Sequence, residues 1–265
     1  MNNSAKALNA ADRAPLLAID EPAAYGVLNP DGASPYLLLC EHASPRIPRA
    51  LGDLGLPEAE RMRHIGWDIG AQALAEHLAI TLDAALFSTG YSRLVVDCNR
   101  PPDNPSIMPA VSEDTAVPGN RGLSAADRQA RLDALFHPFQ NAVARRLDLR
   151  QAAGLRTLVV GVHSFTPVYK GVTRPWHAGI LYAQATEFAG GLMRVLRAVS
   201  GLVIGDNEPY QIDSDDYTVP MHGDVRGLPA VLIEVRHDLI AAPEGVEEWG
   251  TRLTRCLLQA EEASR

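Results

Sequence analysis

LLLCEHAS at 37–44 and LVVGVHSF at 158–165 decide how this chain is read, because each is an apolar, strand-forming run that leads into a histidine, His42 and His163. Short continuous apolar runs mark strands buried on both faces, which is what a largely parallel sheet covered by helices requires. Ligands of open α/β sheets collect in the crevice at the carboxyl ends of such strands. Both imidazoles are therefore expected to reach one crevice, and two strand-end histidines together point to a metal.

The pattern extends outward from these two strands. PEAERMRHIGWDIGAQALAEHLAITL (57–82) opens on a proline, carries acids in its first turn and spaces its apolar residues at helical period, with Gly66 and Gly70 dividing it into two pieces. Residues 84–87, 94–96, 180–182 and 230–235 read as further strands, and 123–152, 186–199 and 244–264 as helices. NRPPDNPSIMP (99–109) must be irregular, since its prolines lack ladder donors, and DNEPYQIDSDDYT (206–218) is a loop of turn formers. Strands alternating with helices predict an α/β fold, a single-domain mixed, mostly parallel sheet flanked by helices. Residues 1–30, small, polar and interrupted by Pro15, Pro22 and Pro30, are expected to form an N-terminal surface segment, with 31–265 as one domain.

With 265 residues and 46% hydrophobic content, the chain can bury a substantial core, and a net charge of -8 argues against a nucleic-acid partner. No segment approaches the ~20 apolar residues of a membrane span, and the amino terminus does not read as a signal peptide, so a cytoplasmic protein is expected. Cys40, Cys98 and Cys256 are odd in number and widely spaced, which suits reduced thiols. Oligomeric state is not written in the sequence.

A catalytic zinc takes three nitrogen or oxygen ligands and keeps a position open for water. His42 and His163 supply two, and the candidates for the third are Glu41, His64 and Asp68. Asp68 is preferred, because a helix end aimed at the crevice would deliver it, whereas Glu41 adjoins His42 and neighbouring strand residues point to opposite faces. Glu234 lies inside AVLIEVRHD, so apolar a run that an ionised carboxylate there needs a partner or a task; a carboxyl with a raised pKa suits a general base. Arg236 shares its strand face and is expected to pair with it or to hold a substrate anion. Asn99 and Arg100, with Arg93 and Arg174, offer donors for the carboxylate of a small acidic substrate. The chain has no G-x-S-x-G elbow, no G-x-G-x-x-G after its first strand and no Walker loop, which leaves serine hydrolysis and nucleotide binding without support.

Taken in order, EHASPRIP around His42, GWDIG around Asp68, YSRLVVDCNRPPD from Tyr91, GVHSFTP around His163, DNEPY from Asp206 and IEVRHDLI around Glu234 resemble the N-formylglutamate amidohydrolase family, from about Leu37 to Ile240. The outline is also similar to zinc carboxypeptidases and aspartoacylases, which implies their phosphorylase/hydrolase-like sheet. The resemblance implies His42 and His163 as ligands of one zinc ion, Glu234 as the base, Asn99 and Arg100 as the grip on the substrate's α-carboxylate, and Arg93 nearby. It implies hydrolysis of the amide of N-formyl-L-glutamate or a related N-acyl amino acid. The carboxypeptidase pattern has a glutamate three residues after the first histidine where this chain has Pro45, so Asp68 and Glu41 both stay open as the third ligand. A zinc carboxypeptidase-like hydrolase of small peptides or cell-wall fragments, and a non-catalytic small-acid binding protein, are the competing expectations.

Overall fold

The computed structural model describes residues 15–263. In chain order its strands are β1 (Tyr25–Leu28), β2 (Tyr36–Cys40), β3 (Ala85–Thr89), β4 (Val111–Ser112), β5 (Thr115–Ala116), β6 (Leu158–Phe165), β7 (Val168–Tyr169), β8 (Val172–Thr173), β9 (Ala178–Leu181), β10 (Ile204–Asp206) and β11 (Ala230–Arg236). The helices are α1 (Glu58–Arg61), α2 (Ala71–Thr81), α3 (Ala125–Arg131), α4 (His137–Ala152), α5 (Thr186–Arg197) and α6 (Pro243–Ala263).

Seven strands form one sheet in the order β1-β3-β2-β6-β11-β9-β10. β3, β2, β6 and β11 run parallel, β1 and β9 pair antiparallel at either side, and β10 runs parallel to β9. The mixed, mostly parallel sheet expected from the apolar runs is thus present. Along β2, Tyr36, Leu38 and Cys40 enter one core, lined by α2, α5 and α6, while Leu37 and Leu39 enter a second core with α4 on the opposite face. That alternation is why the run could be apolar at every position: each face has its own layer of helices. Burying a leucine side chain contributes about 1.5–3 kcal/mol, so these short central strands are strongly held.

Because β3 lies on one side of β2 and β6 on the other, the carboxyl ends of β2 and β6 flank a point where the winding direction changes. Such a switch point leaves a crevice. Helix α2 begins beside it, preceded by the turn that carries Asp68. The backbone N–H of Asp68 donates to the His42 carbonyl at 2.9 Å, tying this turn to the end of β2. Gly70 caps α2 at φ +80°, where a side chain is strained, and a Cβ there would run into the Ile240 carbonyl.

One expectation is corrected. Residues 94–96 are turn and irregular backbone, not a strand, because side chains claim the backbone groups a ladder would use: Asn120 Nδ2 donates to the Leu94 carbonyl at 2.8 Å and Arg131 Nη1 to the Val95 carbonyl at 3.1 Å. Within the expected surface segment 1–30, β1 pairs at the sheet edge and is largely exposed; residues 1–14 lie outside the described residues. The three cysteines are free and buried, and among the described residues no helix is long and apolar enough to cross a membrane.

The irregular segment 94–100 is also held from behind. Gln140 Nε2 donates to the Cys98 carbonyl at 2.5 Å, and its Oε1 meets His222 Nε2 at 2.6 Å. Burial pushes the His222 imidazole down to about 4, so it donates as a neutral ring.

Gly70→Ala is expected to lower unfolding stability by about 2 kcal/mol or more, from the left-handed backbone alone; an unchanged urea midpoint would contradict the close approach to Ile240. An unfolded histidine binds its proton near 6.5 but folded His222 only near 4, so falling pH penalises the folded state through that window. The penalty is roughly 2–3 kcal/mol between about pH 7.5 and about pH 4.5. His222→Gln, which keeps a donor for Gln140, should show a correspondingly shallower loss of stability across that window in urea titrations.

Candidate metal centre and active site

β6 and β11 pair with His163 opposite Glu234, and alternation aims both side chains at the same face of the sheet. Gly161, two residues before His163 on that face, leaves room for the ring and for Leu232. His42 follows β2 after the chain has begun to turn, and Asp68 comes from the turn before α2. The three meet at one oxygen. Asp68 Oδ2 lies 2.9 Å from His163 Nδ1 and 3.3 Å from His42 Nδ1, and accepts the Ser164 N–H at 3.2 Å. The two rings stand 4.9 Å apart, tilted 76°. One donor atom from each of His42, Asp68 and His163 lies within 4.8 Å of the others, and all three residues are buried.

The far nitrogen of each ring meets another carboxylate. His42 Nε2 donates to Asp97 Oδ1 at 2.7 Å. His163 Nε2 lies 3.0 Å from Glu41 Oε2, too far off the N–H direction for a straight hydrogen bond, so the pair is held by charge. Glu41 Oε1 accepts the Thr218 hydroxyl. Glu41 points this way because it continues the face of Leu37 and Leu39, before the turn that redirects His42. Burial opposes charge in all of these groups. For His163 it is overcome by Asp68 and Glu41, which lift the ring well above its usual range. For His42, burial and Arg93 are outweighed by Asp97 and Asp68, which raise it more modestly. Asp68 in turn is held far below the usual carboxylate range, since the two imidazoles outweigh its own desolvation.

This set has the composition of a metal site. Each imidazole turns Nδ1 to the common point and Nε2 to a carboxylate, the arrangement that orients metal-ligating histidines. Nitrogen and oxygen ligands about 2 Å from a tetrahedral zinc lie ~3.3 Å from each other, close to the 3.3 and 2.9 Å that separate Asp68 Oδ2 from the two rings. Glu41 sits behind His163 and Asp68 between the rings, so Asp68 completes the buried group of three that could hold an ion. His64 lines the crevice but pairs with Glu113, 3.1 Å away.

Beside the cluster is a cavity of about 550 Å³ lined by His42, Asp68, Arg93, Asn99, Arg100, His163 and Glu234. Glu234 is only 6% exposed, and its Oε2 has no hydrogen-bond partner among the described residues. Burial raises its carboxyl to about 7, with His163 opposing and Asp68 adding to the effect. A carboxyl so placed exchanges protons near neutral pH.

The arginines divide. Arg93 binds Asp97 Oδ2 through Nε and Nη2, at 3.1 and 2.7 Å, and places Nη1 3.5 Å from Asp68. Arg100 Nη1 donates to the Asp215 carbonyl at 3.1 Å, and Asn99 Nδ2 to Asp216 Oδ1 at 3.2 Å. Arg236 does not pair with Glu234, as its strand face suggested: at the end of β11 it turns to Asp238, 2.8 Å away, outside the cavity lining. Arg174 is also outside it, 8% exposed, with its guanidinium 4.7 Å from the ring centres of Tyr169 and Tyr210 and Nη1 donating to the Tyr210 hydroxyl. By sequence, Asp97 reads as no more than a cap of the NRPP turn that follows it. It does cap, accepting the Asn99 N–H at 2.9 Å, but it also orients His42 and binds Arg93. The signal was a charged residue in the apolar run LVVDC, the same signal that singled out Glu234.

Known proteins resemble this chain in fold and in sequence. A crystal structure of a gene product from Agrobacterium tumefaciens is 38% identical, covering 94% of this chain and 98% of that one at a TM-score of 0.91. That of an N-formylglutamate amidohydrolase from Ralstonia eutropha is 19% identical over 91% of this chain and 98% of that one, with a TM-score of 0.68, and is alike in fold. An N-formylglutamate deformylase from Pseudomonas putida is 28% identical over 138 residues, 48% of this chain; the match spans 51% of that relative's length. The family model for N-formylglutamate amidohydrolase matches residues 34–241, taking in the cluster, the Asn99-Arg100 pair and Glu234, and by that match the chain belongs to the N-formylglutamate amidohydrolase family.

Proposed function

We propose that this protein is a zinc-dependent amidohydrolase that cleaves the amide bond of N-formyl-L-glutamate or a related N-acyl amino acid, releasing formate or another acid and the free amino acid. The observation that carries this reading is the meeting of His42 Nδ1, His163 Nδ1 and Asp68 Oδ2 beside the unpartnered oxygen of Glu234. His42, Asp68 and His163 would hold one divalent ion, and mixed nitrogen and oxygen donors suit zinc. When bound there, zinc supplies an acidified water, its pKa lowered to roughly 7, and a Lewis acid for the acyl carbonyl.

The rest falls to the chain itself. Glu234 Oε2 accepts the water's proton and returns it to the leaving amine nitrogen, a transfer suited to a carboxyl near 7. Asn99 and Arg100, at the outer part of the cavity, have the donors to hold the α-carboxylate in place of their present acidic partners. Arg93, already anchored by Asp97, faces the inner part and steadies negative charge on the reacting carbonyl. A binding protein would have no use for a buried, unsatisfied carboxyl beside two imidazoles, since its desolvation costs stability.

Formate release from N-formyl-amino acids should vanish on chelation and return with added zinc; full activity in metal-free protein would sink the reading. Glu234→Gln should lower kcat by about 10²-fold or more, with zinc content unchanged. Asp97→Asn removes the negative acceptor behind His42 and should weaken zinc retention about 10–100-fold in chelator competition, where no change would argue against His42 as a ligand.

A further inference from the structure

A substrate such as N-formyl-L-glutamate carries two carboxylates, and the pair of Asn99 and Arg100 accounts for one of them. The two arginines of the cavity lining are both matched by acids: Arg93 gives Nε and Nη2 to Asp97, and Arg100 Nη1 lies 3.5 Å from Asp215 Oδ2. Asp213, Asp215 and Asp216 enter the lining on the loop that meets Asn99 and Arg100. Next to those acids a second carboxylate gains nothing.

Another stretch of the lining, made by Phe165, Tyr169 and Tyr210, carries no acid and is backed by cations. Arg174 is buried behind it, its guanidinium 4.7 Å from the ring centres of Tyr169 and Tyr210 and 5.8 Å from that of Phe165. Among the described residues it has no carboxylate partner, and its one side-chain hydrogen bond runs from Nη1 to the Tyr210 hydroxyl at 2.8 Å. Lys170 Nζ stands 5.7 Å from the Tyr169 ring centre, also without an acidic partner among the described residues. The Arg174 bond fixes how the phenol can work. A guanidinium only donates, so the Tyr210 oxygen accepts and its own proton is left for another acceptor, a role that no described residue fills. Burial pushes this phenol up to about 12, with Glu234 adding to the effect and Arg174 and Arg93 opposing it, so the proton stays on at neutral pH. A hydroxyl that accepts from a cation is polarised and donates more strongly to an anion.

We propose, resting on the amidohydrolase reading above, that the Tyr210 hydroxyl is the donor that anchors the side-chain carboxylate of an acidic N-acyl amino acid, with Arg174 as the positioning residue behind it. Arg174 acts in two ways. It claims the phenol oxygen, which turns the O–H toward the cavity, and it sets an unmatched positive charge behind the donor. The Tyr169 and Tyr210 rings hold the guanidinium in place, and Lys170 adds positive charge on the same side. A side chain of the same shape but without charge forfeits the electrostatic part of this contact, which is the basis for selecting glutamate.

The test is kcat and KM of the zinc-loaded full chain for N-formyl-L-glutamate, its uncharged isostere N-formyl-L-glutamine, and N-formyl-L-methionine. The native protein is expected to favour glutamate over methionine by about tenfold or more in kcat/KM, the size of one hydrogen bond to a charged group, with glutamine between them. Tyr210→Phe keeps the ring against Arg174 and should lower the glutamate-to-methionine ratio by about tenfold, through KM rather than kcat. Arg174→Met keeps a long side chain between the rings without its charge and should lower the ratio to a similar extent, while Arg174→Lys should retain part of it. If the Arg174 variants fail to fold, the native ratio and Tyr210→Phe carry the test. No preference for glutamate in the native protein, an equal loss on glutamate and methionine substrates in Tyr210→Phe, or a loss confined to kcat would overturn the inference while leaving amide hydrolysis standing. No turnover of any of the three would instead overturn the proposed function, and this inference with it.

Discussion

One oxygen, Asp68 Oδ2, gathers His42 from the end of β2, His163 from β6 and the Ser164 N–H into a single point, and the architecture of the site follows from that convergence. The sheet provides the spacing, since β2 and β6 are hydrogen-bonded neighbours at the place where the winding reverses. The Asp68 turn provides the third arm, fastened to the His42 carbonyl and, through the Ser164 hydroxyl on Ile69, to the end of β6. Gly70 lets α2 start within contact of Ile240, so the helix that carries Asp68 at its approach cannot drift outward.

Concentrating Glu41, Asp68, Asp97 and Glu234 in a buried region is costly unless each negative charge is matched. Three are matched from within the protein: Glu41 by His163 and Thr218, Asp68 by the two imidazoles, and Asp97 by Arg93 and His42. Glu234 is different. It stands in register with His163 yet keeps one oxygen unsatisfied, and burial holds its carboxyl to about 7, poised between its two states. The partition separates three carboxyls matched from within the protein from one that is not.

The strands and helices were largely legible because the central runs are apolar at each position and the helical ones keep their period. The segment 94–96 read as a strand by the same criterion and is not one. Its apolar side chains do enter the second core, but Asn120 and Arg131, distant in sequence, take its carbonyls. Arg174 and Arg236 stand outside the cavity lining for a related reason. Sequence offers a guanidinium and its position on a strand or loop, but whether it reaches a substrate depends on nearer competitors, here the Tyr169 and Tyr210 rings and the Asp238 carboxylate. Asp97 was underread because its cap lies two residues away in sequence, while His42 lies fifty-five residues away.

By itself the sequence determined the alternating two-faced core, the delivery of His42 and His163 to one end of the sheet, and the presence of Glu234 on a buried strand, because these follow from apolar periodicity and side-chain alternation along a single segment. The tertiary structure decided what no single segment contains. It set Asp68 between the rings and Glu41 behind one of them, paired Asp97 with His42, and laid the 213–216 loop against Asn99 and Arg100. Those choices rest on distances of 2.7 to 3.5 Å between residues far apart in the chain, and the packing of turns against the sheet is what sets such distances.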